Sequence, residues 1–165
     1  MDAKTGRGTP PGPWRPGRVV SGGQTGVDRA ALDVALELGI PCGGWCPRNR
    51  RAEDGEIPPW YPMQETPSRD YRVRTRWNVR DSDATLVLTR GEARGGTLLT
   101  VRLAVALGRP LRVVDLTLDP EPGAVREWLE TRRIQVLNVA GPRASEHPGL
   151  AGQVRAFLQA VLAPR

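Results

Sequence analysis

Six residues, Ser21-Gly22-Gly23-Gln24-Thr25-Gly26, hold three glycines and two hydroxyls between an apolar Val19-Val20 and a periodic run that starts at Val27. Without a Cβ, glycine lets the backbone come close to an anion, and the first N–H groups of a helix starting there have no partner within it. The stretch therefore has the chemistry of a phosphate cradle. The same chemistry recurs twice. Leu86-Val87-Leu88-Thr89 leads into Gly95-Gly96-Thr97 and a helix-like run, and Val136 to Ala140 leads into Gly141-Pro142-Arg143-Ala144-Ser145. In a parallel sheet three such turns open at one edge. The candidates to touch a phosphorylated ligand are thus Gly22, Gly23, Gln24, Thr25 and Gly26 with Arg29, then Gly95, Gly96 and Thr97, then Gly141, Arg143 and Ser145. Arginine suits the task because its planar fork matches phosphate oxygens. Such turns also serve tight strand-to-helix packing, and both readings stand at this point.

Carboxylates and thiols are the other groups able to do chemistry. Asp28 lies in the first turn of the helix after the cradle, where a negative charge is favourable in itself and where an acid or base would also fit. Glu53 and Glu92 are further carboxylates that another element could bring to the site. Asp81 and Asp83 precede the run Ala84 to Thr89, at the strand end away from the usual ligand edge, so they read first as turn chemistry. Cys42 and Cys46 are spaced C-x3-C and His147 is the single histidine. Two cysteines alone make no zinc site, so no metal site and no catalytic residue is assigned.

The elements that must position these groups alternate. Strands are expected at Arg18 to Ser21, Ile40 to Trp45, Ala84 to Thr89, Leu111 to Leu116 and Ile134 to Ala140. Helices are expected at Val27 to Leu38, Asp70 to Arg80, Gly95 to Leu107, Pro122 to Arg132 and His147 to Leu162. In the first helix Ala30, Ala31, Val34, Ala35 and Leu38 form the apolar stripe, and Gly39 ends it. Alternation of this kind predicts a three-layer α/β/α architecture around a mostly parallel, doubly wound sheet of about five or more strands. From Cys46 to Arg69 the pattern lapses, with five prolines and no period. A stretch that long in a compact domain is commonly functional. Its Trp60 and Tyr61, together with Trp45 and four arginines, are candidates to cover a planar, charged ligand or simply the sheet edge.

The chain of 165 residues is the size of one domain, with 39% hydrophobic and 25% charged residues, and no run approaches the length of a membrane span. Residues 1–17 carry four prolines and four glycines and read as a flexible tail, leaving 18–165 as the single folded domain. They also lack an apolar secretory segment, which points to a cytoplasmic protein. The net charge of +6 points to an anionic partner, and all but Lys4 of the 24 basic side chains are arginine. The arginines are scattered and no nucleic-acid module is present, so a nucleic acid is not the expected partner.

The segments SGGQTGVDRAALD at 21–33, GWCPRNRRAEDG at 44–55, ETPSRDYRVRTRWNVRDSDATLVL at 65–88, GGTLLT at 95–100 and LNVAGPRAS at 137–145 resemble the molybdenum-cofactor carrier proteins. These form a circularly permuted branch of the SLOG nucleotide-binding superfamily, and the likeness extends over residues 18–162. The resemblance implies a Rossmann-like sheet and a phosphorylated pterin or nucleotide, molybdenum cofactor first, held at the glycine turns. It also implies room for molybdate or phosphate at one turn and a homo-oligomer, dimer or tetramer. The superfamily includes phosphoribohydrolases with a PGGxGTxxE motif whose glutamate acts in cleavage. Aligning Gly96-Thr97 with that motif puts Thr100 where the glutamate would be, as a binding residue. A hydroxyl does not replace that carboxylate, which argues against this hydrolysis. The alternative, a nucleotide-processing enzyme using another carboxylate, stays open at this stage.

Overall fold

The structure is a computed structural model and describes residues 14–164. Along the chain, β1 (Arg18–Val20) leads through α1 (Val27–Leu38) to β2 (Cys42–Gly43). A connecting region follows with four two-residue strands, β3 (Trp45–Cys46), β4 (Arg51–Ala52), β5 (Gly55–Glu56) and β6 (Gln64–Glu65). Then come α2 (Tyr71–Arg80), β7 (Ala84–Thr89), α3 (Gly95–Ala106), β8 (Leu111–Asp115), α4 (Pro122–Thr131), β9 (Val136–Ala140) and α5 (Leu150–Leu162).

The predicted parallel sheet is present, with five strands in the order β2-β1-β9-β7-β8, every pair parallel. Counted from β9 instead of β1, that order becomes 3-2-1-4-5, the half-sheet of a doubly wound nucleotide-binding fold, with the order reversing between β9 and β7. Right-handed crossovers put α1 and α4 on one face and α2 and α3 on the other. Accordingly α5 packs between α1 and α4, and α2 packs on α3. All six residues of β7 are buried, as expected of a strand covered on both faces. The main core runs from Val19, Leu86, Leu88, Leu137 and Val139 of the sheet to Val34 of α1 and Leu158 of α5.

Three expectations change. The strand expected over Ile40 to Trp45 breaks at Gly44, whose φ is +124° and whose Cβ, if present, would lie 2.2 Å from the Ser21 carbonyl oxygen. Beyond the break β3 leaves the sheet and pairs with β6. The last helix begins at Leu150 and not at His147, because Gly149 takes a left-handed φ of +84° at its N-cap. The connecting region also has a core of its own, Leu32, Cys46, Ala52, Ile57 and Tyr61, with the Arg50 guanidinium holding the carbonyls of Ile57, Pro58 and Tyr61. Of the expected tail, residues 1–13 lie outside the described residues. Trp14 packs partly buried on the main core, and Arg15 donates to the Leu38 carbonyl at 3.2 Å.

Asp83 does the turn chemistry expected of it, accepting from the N–H groups of Gln135 (3.1 Å) and Val136 (2.8 Å) and so joining the start of β7 to that of β9. Burial elsewhere sets the stability. Leu86 is fully buried in the central strand, and Leu86→Ala should lower the unfolding free energy by about 2–5 kcal/mol, read from a urea titration.

Candidate anion-binding site

All three glycine turns lie at the carboxyl edge of the sheet, but they differ in what fills them. The turn after β1 is occupied by the chain itself. A Cβ at Gly22 would lie 1.5 Å from Arg74 Nη1, and one at Gly26 would lie 2.5 Å from the Pro142 carbonyl oxygen. Gly23, at φ +73°, faces Ile57 in the same way. The anion in this turn is internal. Asp28 Oδ2 accepts from the Gln24 N–H at 3.2 Å and from Arg74 Nη1 at 3.1 Å, with both side chains largely buried. Burial raises the Asp28 pKa, while the Arg74 charge and the Gln24 N–H pull it back.

The turn at the start of α3 is different: Gly95 and Gly96 meet nothing within 4 Å of where a Cβ would stand. Beside it lies a cleft of about 100 Å³. Gly96, Thr97 and Thr100 of α3 form one wall, and Gly141 and Arg143 after β9 form another. Gln24, Asp28, Tyr71, Arg74 and Glu146 close the rest. At the start of α3 the Thr97 and Leu98 N–H groups donate to the Arg94 carbonyl, which leaves the amides before them to face a ligand. Arg143 Nε lies 3.6 Å from Glu146 and 4.0 Å from Glu53. The rings and cations converge, for Arg51, Arg74 and Arg143 stand 4.5, 5.5 and 5.5 Å from the centroid of Tyr71.

Gln24 supplies a donor of unusual kind. It is 5% exposed, and its Oε1 accepts from the N–H groups of Thr25 (3.1 Å) and Glu53 (2.9 Å), which fixes the other end of the amide as nitrogen. That Nε2 is buried and has no partner among the described residues. A buried polar atom left unpaired costs about 1–3 kcal/mol, so it marks a place where a ligand acceptor would be stabilised.

Of the residues named from sequence, Gln24, Gly96, Thr97, Thr100, Gly141 and Arg143 come together around the cleft. Thr100 Oγ1 donates to the Gly96 carbonyl at 3.0 Å, so its hydroxyl is committed within the helix. Gly22, Gly23 and Gly26 serve internal close approaches instead. Arg29 is bidentate to Asp54 at 2.5 and 2.8 Å. Thr25 and Ser145 form a clasp with Glu53: the Thr25 hydroxyl and the Ser145 hydroxyl (2.6 Å) both donate to its carboxylate, and the Ala144 N–H donates to Thr25 Oγ1. Trp45 and Tyr61 are elsewhere. Trp45 packs edge-on against Trp77 and donates to Asp81, and Tyr61 donates to Asp33. Sequence reasoning did not list Tyr71, Thr75 or Glu146. The basic character of α2 pointed toward Arg74 without placing it. Among the described residues no cluster of His, Cys, Asp and Glu has a metal-binding arrangement, and burial pushes the Cys46 thiol up to about 11.

Fold and site together define a Rossmann-like α/β protein in permuted strand order, with a cleft lined by Gln24, Gly96, Gly141 and Arg143 at the reversal of its sheet. The chain belongs to the circularly permuted YpsA SLOG family, which matches residues 19–162. Its structure is similar to a crystal structure from Syntrophus aciditrophicus of a protein provisionally named as a molybdenum carrier. The TM-score is 0.85 and the identity 41%, over 90% of this chain and 96% of that one. No curated protein matches the chain at a significant level.

Two consequences can be measured. A Cβ at Gly141 would lie 2.3 Å from the Leu88 carbonyl oxygen, which cannot move aside. Gly141→Ala should therefore lower the melting temperature sharply, whereas Gly96→Ala, in open space, should leave it unchanged or raise it. For Glu53, burial works to raise the pKa, but the hydrogen bonds from Ser145 and Thr25 outweigh it and hold the carboxyl below its ordinary value. Its contribution to stability is then present above the usual carboxylate range and lost as pH falls through the depressed folded value. The melting difference between wild type and Glu53→Gln should be largest near neutral pH and vanish in acid.

Proposed function

We propose that the protein is a carrier for a phosphorylated small molecule, with molybdenum cofactor as the cargo and its terminal phosphate in the cleft at the start of α3. The observation that carries this reading is the unpartnered Gln24 Nε2, a fixed buried donor in the wall of a cleft whose other donors are helix amides and guanidinium groups. Size supports it too. About 100 Å³ is the share of roughly three water molecules and falls below the roughly 300 Å³ that pockets for whole organic ligands begin at. It suits a phosphate-sized head group. Glu146 also lines a broader hollow of about 450 Å³ between the loops after β7 and β9, with Arg90, Arg94 and His147, where the rest of a cargo would lie. The neighbour's name supports molybdenum as the cargo's metal.

The test is calorimetric titration with molybdenum cofactor and with a phosphate monoester. Arg143→Ala should weaken both by about tenfold to a hundredfold, corresponding to about 1–3 kcal/mol for a lost charge-assisted hydrogen bond. Unchanged affinity would remove the cleft from the proposal.

A further inference from the structure

An anion cleft need not contain an acceptor, yet this one does. Asp28 lines the cleft beside Gln24 and Arg74, and it also lines a polar chamber of about 20 Å³ beneath it, room for one water. One carboxylate oxygen, Oδ2, is fully engaged by the Gln24 N–H and Arg74 Nη1. The Gly22 N–H also acts on this carboxylate, and no side chain among the described residues donates to the other oxygen. Gly96, Thr97 and Asp28 line the same cleft of about 100 Å³, so an oxyanion held at the start of α3 would have the Asp28 carboxylate in the facing wall. The site is marked as a ligand site by a separate feature, the buried Gln24 Nε2 that lacks a partner.

A carboxylate only accepts hydrogen bonds, as do the oxygens of a fully ionised oxyanion. Set together without a proton, they repel and leave each other unsatisfied. With one proton between them, the contact becomes a short charge-assisted hydrogen bond. Hydrogen phosphate carries that proton at neutral pH, and a phosphate monoester gains one near pH 6. Sulfate and molybdate carry none near neutral pH.

Resting on the proposed phosphate cleft, we infer that Asp28 is its specificity determinant: it admits phosphate and phosphate monoesters in a protonated form and excludes oxyanions that bring no proton, molybdate included. Any molybdenum in the cargo then lies outside this cleft. Arg74 holds the Asp28 carboxylate in place for that role, and Gly22 leaves the space for Arg74.

The experiment is calorimetric titration of the full chain with inorganic phosphate, sulfate and molybdate near neutral pH at one ionic strength, for wild type and Asp28→Asn. Wild type should bind phosphate at least about tenfold more tightly than either other anion. Asp28→Asn, whose amide can donate, should bring the three within about threefold, chiefly by tighter sulfate and molybdate. Titration of wild type with glycerol phosphate above pH 6, in two buffers of different ionisation enthalpy, should show proton uptake on binding. That readout needs no variant. Equal wild-type affinity for all three anions, a preference that persists in a folded Asp28→Asn, or monoester binding without proton uptake would each overturn the inference and leave the phosphate cleft standing. Failure of every anion to bind would overturn both.

Discussion

The buried pair of Asp28 and Arg74 is the contact on which the arrangement of the carboxyl edge depends. It joins the first turn of α1 to the second turn of α2 across 46 residues of sequence, at 3.1 Å. Removing both ions from water is expensive, and hydrogen bonds to the remaining lone pairs offset part of that cost. Here the Gln24 N–H supplies part of that compensation, and the glycine turn supplies the room. With the pair in place α2 lies against α3, and Tyr71, Arg74 and Thr75 become a wall of the cleft. Losing one partner of a buried pair typically costs about 3–5 kcal/mol, so the wall and the turn stand or fall together.

Topology explains why the open turn is the one before α3. In a parallel sheet the crevice lies where the strand order reverses, because loops from the two sides of the reversal part from each other. Here the reversal lies between β9 and β7, and the loops that part are those of Gly141 to Pro148 and of Arg90 to Arg94. β1 is one strand further from it. Its loop is overlaid by the β9 loop, with Pro142 and Ala144 packed on Gly26, and is sealed by the clasp of Glu53 with Thr25 and Ser145. Permutation has thus moved the chain termini while leaving the crevice at the same place in the sheet.

Much of this was legible in the sequence. The alternation of strands and helices followed from apolar runs such as Ala84 to Thr89 and the stripe of α1, and Gly96, Thr97, Gly141 and Arg143 fell in one cleft as expected. What was not legible was which glycine turn is open. Gly22 and Gly96 carry the same local signal, since a glycine that lets a ligand approach and one that lets Arg74 approach look identical in one dimension. The difference lies in a side chain 52 residues further on. The connecting region was opaque for another reason: its strands are two residues long, too short to show a period, and its core is drawn from Leu32, Cys46, Ala52, Ile57 and Tyr61, which share no spacing. Gln24 was named from the sequence and lines the cleft, but the orientation of its amide came only from the two N–H groups that fix it.

A carrier has to release what it holds, and the geometry bears on how. Enclosing a whole pterin would bury its surface and slow its departure, since affinity differences between related complexes reside mostly in the off-rate. On the proposed reading, a cleft of about 100 Å³ beside a wide hollow of about 450 Å³ would hold the cargo by one end. The holding energy then comes from a few donors, the α3 amides, Gln24 Nε2 and Arg143, each contributing about 1–3 kcal/mol when the acceptor is charged. Such a set suffices for a selective but reversible grip. On that reading the rest of the cargo would lie toward Arg90, Arg94 and His147, open to a receiving protein before the phosphate is let go. On the proposed reading, selectivity and release are therefore separated in space: Asp28 and its neighbours judge the phosphate, and the open hollow governs the transfer.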